Sequence, residues 1–395
     1  MKRLLTLTIL SFFILSVAAQ SPRQPSRLFI AHSNTTPRTH PDLDTTLPAQ
    51  PDPDTARISQ IDPDSTTLAP LIYLASDKLK GRDIARPEID TAANYIATRL
   101  KKAGALPVPG ASGYFQPFTQ RILQTQYEFS HPQGHSFLPW YAPYKGLRLQ
   151  NVLAYIPGTD SILRHQYILL SAHYDHIGLS DPGDGFSRHD SIYNGARDNA
   201  TGIAAVLDAA RYFGKYPPKR SVLFICFTAE EEGELGSQFY TARPIIPLDE
   251  IVFDLNVDNA GYNTTQAICL FGLGRTSADT LIRKACLRYG LAVLPEPQGL
   301  ELFERSDNYK FALKGVPAPC FSMGMTKWDE EINTYYHQRS DEVGTMDLSY
   351  VVRFIRAYIL AAKFLADDPT QPRWITGDLF KNAWRTLYAP TDGHH

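Results

Sequence analysis

Cysteine is scarce in this chain. Four cysteines stand among 395 residues, at positions 226, 269, 286 and 320, and none forms a CxxC pair. That spacing excludes a zinc knuckle and a dense disulfide scaffold. Cys226 and Cys320 lie in apolar strand-like runs, and Cys269 and Cys286 flank a loop and a helix. Buried free thiols and bridges both stay open at this level. A charge excess of either sign is also missing. Thirty-nine basic side chains face 41 acidic ones, a formal net charge of −2, so no overall basic surplus points to nucleic acid or to an acidic membrane. Long apolar runs are absent except for Leu4–Val17, which follows Lys2 and Arg3 and leads to the small residues Val17 and Ala19. This is the pattern of a signal peptide over residues 1–19, and the run is short for a bilayer span. No cysteine stands at the cleavage point to carry a lipid. The expectation is an exported protein, periplasmic or extracellular, with no stable membrane insertion once the peptide is removed.

What is present is a large globular domain, since 43% of the residues are apolar and the length supports one large core or two small ones. Residues 20–67 are rich in Pro, Thr, Ser and Asp and read as a largely extended tether, within which Arg27–Ala31 has the composition of a short strand. Order is expected from Leu68. Leu71–Leu79 and Thr91–Ala105 have helical spacing, with Ala93, Ile96, Ala97 and Leu100 on one face. Strand-like segments follow at Tyr114–Phe129 and Leu149–Ile156. Strands and helices then alternate: strands at Tyr167–Ala172, Ser221–Thr228, Ile251–Val257, Ala267–Phe271 and Ala318–Ser322, and helices at Asn199–Phe213, Ser277–Tyr289 and Leu348–Leu365. Such alternation predicts an α/β domain over 68–367 with a mostly parallel central sheet. Trp374 and Trp384 predict that the tail, 368–395, packs on that domain.

Chemistry-bearing residues collect where strands end. The run Ser171-Ala-His173-Tyr-Asp175-His176 overlaps the end of one buried strand, and ligands of open α/β sheets bind at the carboxyl ends of strands. Asp175 is suited to hold the His173 ring, as the partners of metal-bound histidines do; a polar loop is the plainer alternative. Asp198 precedes a helix start, where a carboxylate can bridge two cations or merely cap the helix. Glu230, Glu231 and Glu232 crowd the end of the most apolar strand. They form either a solvated loop or a pair of working carboxylates, with Glu231 as ligand and Glu230 as base. Asp258 ends another apolar strand. His337 and Asp341 lie in a loop, where each has an ordinary surface or capping reading. Taken together, two imidazoles (His173, His337) and three carboxylates (Asp198, Glu231, Asp258) suit zinc with a shared carboxylate. A pair of such ions about 3.5–4 Å apart can polarise a carbonyl and activate water.

In the segments AHYDHIG (172–178), YNGARDNATG (193–202), EEEGELGS (230–237), NVDNAGY (256–262), RSDNYKF (305–311) and YHQRSD (336–341), the chain resembles the M28 metallopeptidases, the dizinc aminopeptidase group. The resemblance spans Leu68–Asp367. It implies a mixed eight-stranded sheet covered by helices on both faces, and two Zn2+ per chain. One zinc would be held by His173 and Asp258, the other by Glu231 and His337, with Asp198 bridging. Glu230 would be the general base, Asp175 the residue that orients His173, and a peptide or aminoacyl compound the substrate. Two positions depart from the family pattern, which often has an acid at Arg197 and a histidine at Asn308. Neither is an implied ligand, so the departures bear on specificity. Other exopeptidases, glutaminyl cyclases and non-catalytic binding proteins are the alternatives on this scaffold.

Overall fold

The computed structural model describes residues 53–60, 67–121, 146–179 and 191–389. The expected signal peptide, the Arg27–Ala31 segment, the part of Tyr114–Phe129 beyond residue 121 and the loop 180–190 lie outside the described residues.

Ten strands are described: β1 Phe115–Gln120, β2 Leu147–Ile156, β3 Tyr167–His173, β4 Gly178–Leu179, β5 Ile192–Tyr193, β6 Ser221–Phe227, β7 Ile251–Val257, β8 Ala267–Phe271, β9 Ala292–Pro295 and β10 Cys320–Met323. Eight of them form one mixed sheet in the order β1-β2-β6-β3-β7-β10-β8-β9. The centre, β6-β3-β7-β10, is parallel throughout, and β2 joins β6 antiparallel. Strand β6, next after β3 among the centre strands, lies on one side of it, and β7 lies on the other. The chain therefore reverses its winding at β3. Such a switch leaves a crevice beyond the carboxyl ends of the strands.

The reason the centre is fully buried can be read along β6. Its seven residues, SVLFICF, are all buried. Alternation sends Val222, Phe224 and Cys226 into one core cluster and Leu223, Ile225 and Phe227 into another, as period-two geometry requires. The first cluster holds the helices Glu88–Lys102, Thr201–Lys215, Asp279–Leu287 and Leu348–Asp367; the second holds Tyr240, Phe311, Trp374 and Phe380. Burying each such large apolar side chain contributes roughly 1.5–3 kcal/mol. The four cysteines are free thiols inside this core.

Several elements differ from the sequence reading. Within the stretch read as an extended tether, Pro53–Ser59 is a helix that buries Thr55 and Ile58, and its Asp54 accepts a hydrogen bond from Tyr212 Oη at 2.9 Å. Seven residues with two buried positions are too few to show a helical period. The expected helix Leu71–Leu79 is two pieces, an α-helix Ala69–Leu74 and a 3-10 segment Asp77–Arg82 broken by left-handed Lys80 and Gly81. Glycine is required at 81, because a Cβ there would lie 2.3 Å from the Gly178 carbonyl oxygen. In the tail, Trp374 is fully buried and donates from Nε1 to Gly315 O at 3.0 Å. Among the described residues no helix is long and apolar enough to cross a membrane.

Candidate metal centre

The expected ligands converge on the crevice at β3. His173 is the last residue of β3, Asp258 follows β7, and Glu230 and Glu231 stand three and four residues past β6. Because these strands are parallel, all four side chains emerge at one edge. Asp198 enters from the turn Ala196–Ala200, which precedes the helix Thr201–Lys215, and His337 enters from the loop after the helix Glu330–Tyr335.

Asp198 stands between the two histidines. His173 Nε2 is 3.2 Å from Asp198 Oδ1 and 3.2 Å from Asp258 Oδ1. His337 Nε2 is 3.2 Å from Asp198 Oδ2 and 3.2 Å from Glu231 Oε2. These separations fit ligands that share an ion: for bonds near 2.0 Å, the edge of a tetrahedron is about 3.3 Å. Asp198 Oδ1 is buried and has no hydrogen-bond partner despite its closeness to His173. A buried acceptor left in that state is costly, and a cation between the two groups would satisfy it. His173, Glu230 and Asp258 offer atoms that all lie within 4.8 Å of one another, and so do His176, Asp198 and Glu231.

The electrostatics agree with a site built for positive charge. Burial lowers both imidazoles, but the surrounding acids outweigh it: His173 is raised well above its usual range by Asp258, Glu230 and Asp198, and His337 is pushed up to about 10 by Glu231 and Asp198. Burial and Glu231 raise Asp198, but the two imidazoles outweigh them and bring it down to about 2. Adjacent Glu230 and Glu231 separate. Burial, with Asp258 and Glu231 adding to it, raises Glu230 well above the carboxylate range against the pull of His173. Glu231, despite its burial, is held well below that range by His337 and His176.

Asp175 meets both the His173 ring and the acidic turn. Its carboxylate accepts the backbone N–H groups of Glu230 and Glu231, both at 3.2 Å, and lies 3.8 Å from His173 Nδ1. The nearer partner of that ring nitrogen is the Asp175 main-chain oxygen, at 3.3 Å. The side chain thus fixes the Glu230–Glu231 turn while facing the imidazole, which the backbone oxygen also contacts. Burial raises Asp175 to about 6.

Two residues escaped the sequence reading. His176 is buried and places Nδ1 2.8 Å from Glu231 Oε1; its only signal was its position beside Asp175. Tyr336 stacks on His337, with ring centroids 4.0 Å apart, and lines the cavity shared by Glu230, Asp258, Phe271 and Leu302. Burial, with Asp198 and Glu231 adding to it, raises its phenol well above the usual value, which keeps Tyr336 a hydrogen-bond donor. The two departures have structural roles. Arg197 is buried and paired with Asp341, and Asn308 donates to the carbonyl oxygens of Phe303 and Ala318, both at 3.1 Å.

A profile of Peptidase family M28 matches residues 151–362, over half of the chain. The chain belongs to peptidase family M28. Its M28 sequence is 26% identical over 199 residues to Aminopeptidase YwaD of Bacillus subtilis, covering 49% of this chain and 40% of YwaD. The chain thus spans about two fifths of the length of that relative. The fold is that of BSAP, a zinc aminopeptidase from Bacillus subtilis, with a TM-score of 0.56 and 15% identity over 77% of this chain and 96% of that one. A glutaminyl cyclase of Bacteroides thetaiotaomicron shares the fold too, with a TM-score of 0.53 and 16% identity over 77% of this chain and 98% of that one.

Proposed function

We propose that this M28 protein is an exported exopeptidase with two zinc ions, an aminopeptidase that hydrolyses N-terminal peptide bonds with Glu230 as general base. The observation that carries the reading is Asp198 between two imidazoles, with one oxygen 3.2 Å from each. His173 and Asp258 would hold one ion, Glu231 and His337 the other, and Asp198 both. Bound there, zinc supplies Lewis acidity toward the scissile carbonyl and lowers the pKa of water.

The chain's own residues carry the remaining steps. Glu230, which lines the cavity with Asp198, Asp258 and Tyr336, takes a proton from the attacking water as its oxygen bonds to the carbonyl carbon. Tyr336 donates a hydrogen bond to the carbonyl oxygen as that oxygen gains negative charge. Glu230 then delivers the proton to the departing amine as the C–N bond breaks. Acids not engaged in this transfer give a substrate α-ammonium a favourable field. Export follows from the leader pattern of residues 1–19.

A second reading, an exopeptidase that grips a substrate carboxylate, draws on Arg305, which is exposed and lines the same cavity. Elemental analysis together with a panel of free and N-acetylated aminoacyl amides and N-blocked peptides separates the two. About two zincs per chain with cleavage of free-amine substrates alone supports the aminopeptidase. Two zincs with cleavage of blocked peptides bearing a free carboxylate moves the assignment to the second reading. Cyclisation of N-terminal glutamine would point to the glutaminyl cyclases. No metal and no turnover would sink the enzyme reading.

A further inference from the structure

We infer that the buried Arg197–Asp341 pair is a latch that holds the His337 segment on the Asp198 loop, so that it sets the His337 half of the metal site more strongly than the other. The inference rests on the two-zinc reading above. Its starting point is the backbone of His337, whose φ is 56°. Side chains other than glycine rarely adopt this left-handed region, and such a residue persists only where its surroundings over-determine it.

Within the segment, Gln338 N donates to Tyr335 O at 3.0 Å, Asp341 N to Gln338 O at 3.1 Å, and Ser340 Oγ to Thr334 O. The stronger hold comes from across the crevice. The Asp341 carboxylate accepts the backbone N–H of Arg197, 3.0 Å from each oxygen, and that of Asp198 at 3.2 Å. Asp341 O accepts Ala196 N at 3.1 Å. The Arg197 guanidinium closes the arrangement. Nη1 donates to Asp341 Oδ1 at 3.0 Å and to Thr345 Oγ1 at 2.9 Å, and Nη2 donates to Thr345 O at 2.9 Å. Its carbon sits 3.7 Å from the ring centroid of Tyr335.

Arginine suits this place for a physical reason. A planar fork with five donors can serve Asp341 and both Thr345 oxygens at once, whereas a lysine ammonium on a flexible stem cannot reach all three in one geometry. Both charges are buried, so neither can leave its partner without leaving an unpaired ion behind. The sequence departure at Arg197 therefore adds no free charge to the bridging loop. Shifting the segment would carry His337 Nε2 away from Asp198 Oδ2 and Glu231 Oε2, each now 3.2 Å distant. His173 and Asp258 hang from β3 and β7 and would stay.

The test is calorimetric titration of zinc into the metal-free full chain, comparing wild type with Arg197→Met and Arg197→Lys. Wild type is expected to show two binding events. Arg197→Met should weaken one by about tenfold or more, the scale for partners of metal ligands, and leave the other within about twofold. Arg197→Lys should fall between the two. Two unchanged events in Arg197→Met, or equal weakening of both, would overturn the latch. If Arg197→Met does not fold, Arg197→Lys and Thr345→Val decide: selective weakening of one event supports the latch and no change defeats it. A wild type that takes fewer than two zincs sinks the two-zinc reading and the latch with it, a result distinct from a two-zinc wild type matched by its variants.

Discussion

The two histidines of the centre are held in opposite ways. His173 ends a strand in the middle of the sheet, and its side chain is 1% exposed; His337 sits in a loop at a left-handed backbone angle, and its side chain is 27% exposed. Parallel ladders on both sides fix the first, since β3 pairs with β6 and with β7. The second depends on contacts between loops. One histidine thus hangs from the sheet, and the other is held by loop contacts of its own. A crevice at a switch point invites this division, because strands reach it from one side only and loops must close it from the other.

The largest effects should come from the residue that belongs to both halves. Asp198→Ala is expected to lower zinc content at both positions and to cut hydrolysis by at least about 100-fold, the scale for losing a placed electrostatic group. Full retention of one zinc in that variant would show that the halves are independent and that Asp198 does not bridge. Glu230→Gln comes next. It keeps the shape of the site and removes the proposed base, so turnover should fall by roughly 100-fold or more, with zinc content unchanged. Loss of zinc in Glu230→Gln would make Glu230 a ligand, as its closeness to His173 and Asp258 allows.

The strand-borne half also carries a pH-dependent prediction. Beneath His173, Ser171 Oγ lies 2.7 Å from Asp254 Oδ1 and 2.9 Å from Asn256 Oδ1. A hydroxyl has one hydrogen. Donation from Ser171 favours the ionised Asp254, but burial outweighs it. Burial raises Asp254 to about 8, well above the unfolded value near 3.9. The folded state therefore binds this proton more tightly. The stability it confers is complete below about pH 4 and is lost as pH rises toward 8. Asp254→Asn can donate to Ser171 without a titrating proton. Its stability relative to wild type should rise through that window by no more than about 1.4 kcal/mol per pH unit and level off above it. Parallel urea midpoints for the two proteins from pH 4 to 8 would show that Asp254 ionises normally.

How far the site was legible in the sequence follows the same division. His173, Glu230, Glu231 and Asp258 could be placed because each stands at or just past an apolar run, and a fully buried strand announces its own end. Asp198 was visible as a residue before a helix, although capping explained it equally well. The position of His337 had no local signal, since it follows from Asp341, Arg197 and Thr345, which meet only in the folded chain. His176 and Tyr336 were hidden for the same reason. Among the elements, the two-residue strands β4 and β5 and the short helices Leu235–Ala242, Asn308–Leu313 and Glu330–Tyr335 are too brief to show a period. The helix Leu235–Ala242 is further masked by the acids that precede it.

The smallest effect bears most directly on the contrast between the two histidines. If the His337 backbone is held in a left-handed conformation by its surroundings, removing the side chain should leave that conformation in place and its cost intact. His337→Ala and His337→Gly both lack the imidazole, so both lose the same proposed ligand. They differ only in how easily the backbone adopts φ 56°, which glycine does without steric penalty. In the metal-free protein, His337→Gly should therefore be the more stable of the two by on the order of 1 kcal/mol, read from urea unfolding. Part of that gain is offset by the greater freedom of glycine in the unfolded chain, which keeps the expected difference small. Alanine more stable than glycine would mean that the segment relaxes once the imidazole is gone, so that contacts of the ring itself, and not the supports around the loop, hold the backbone there.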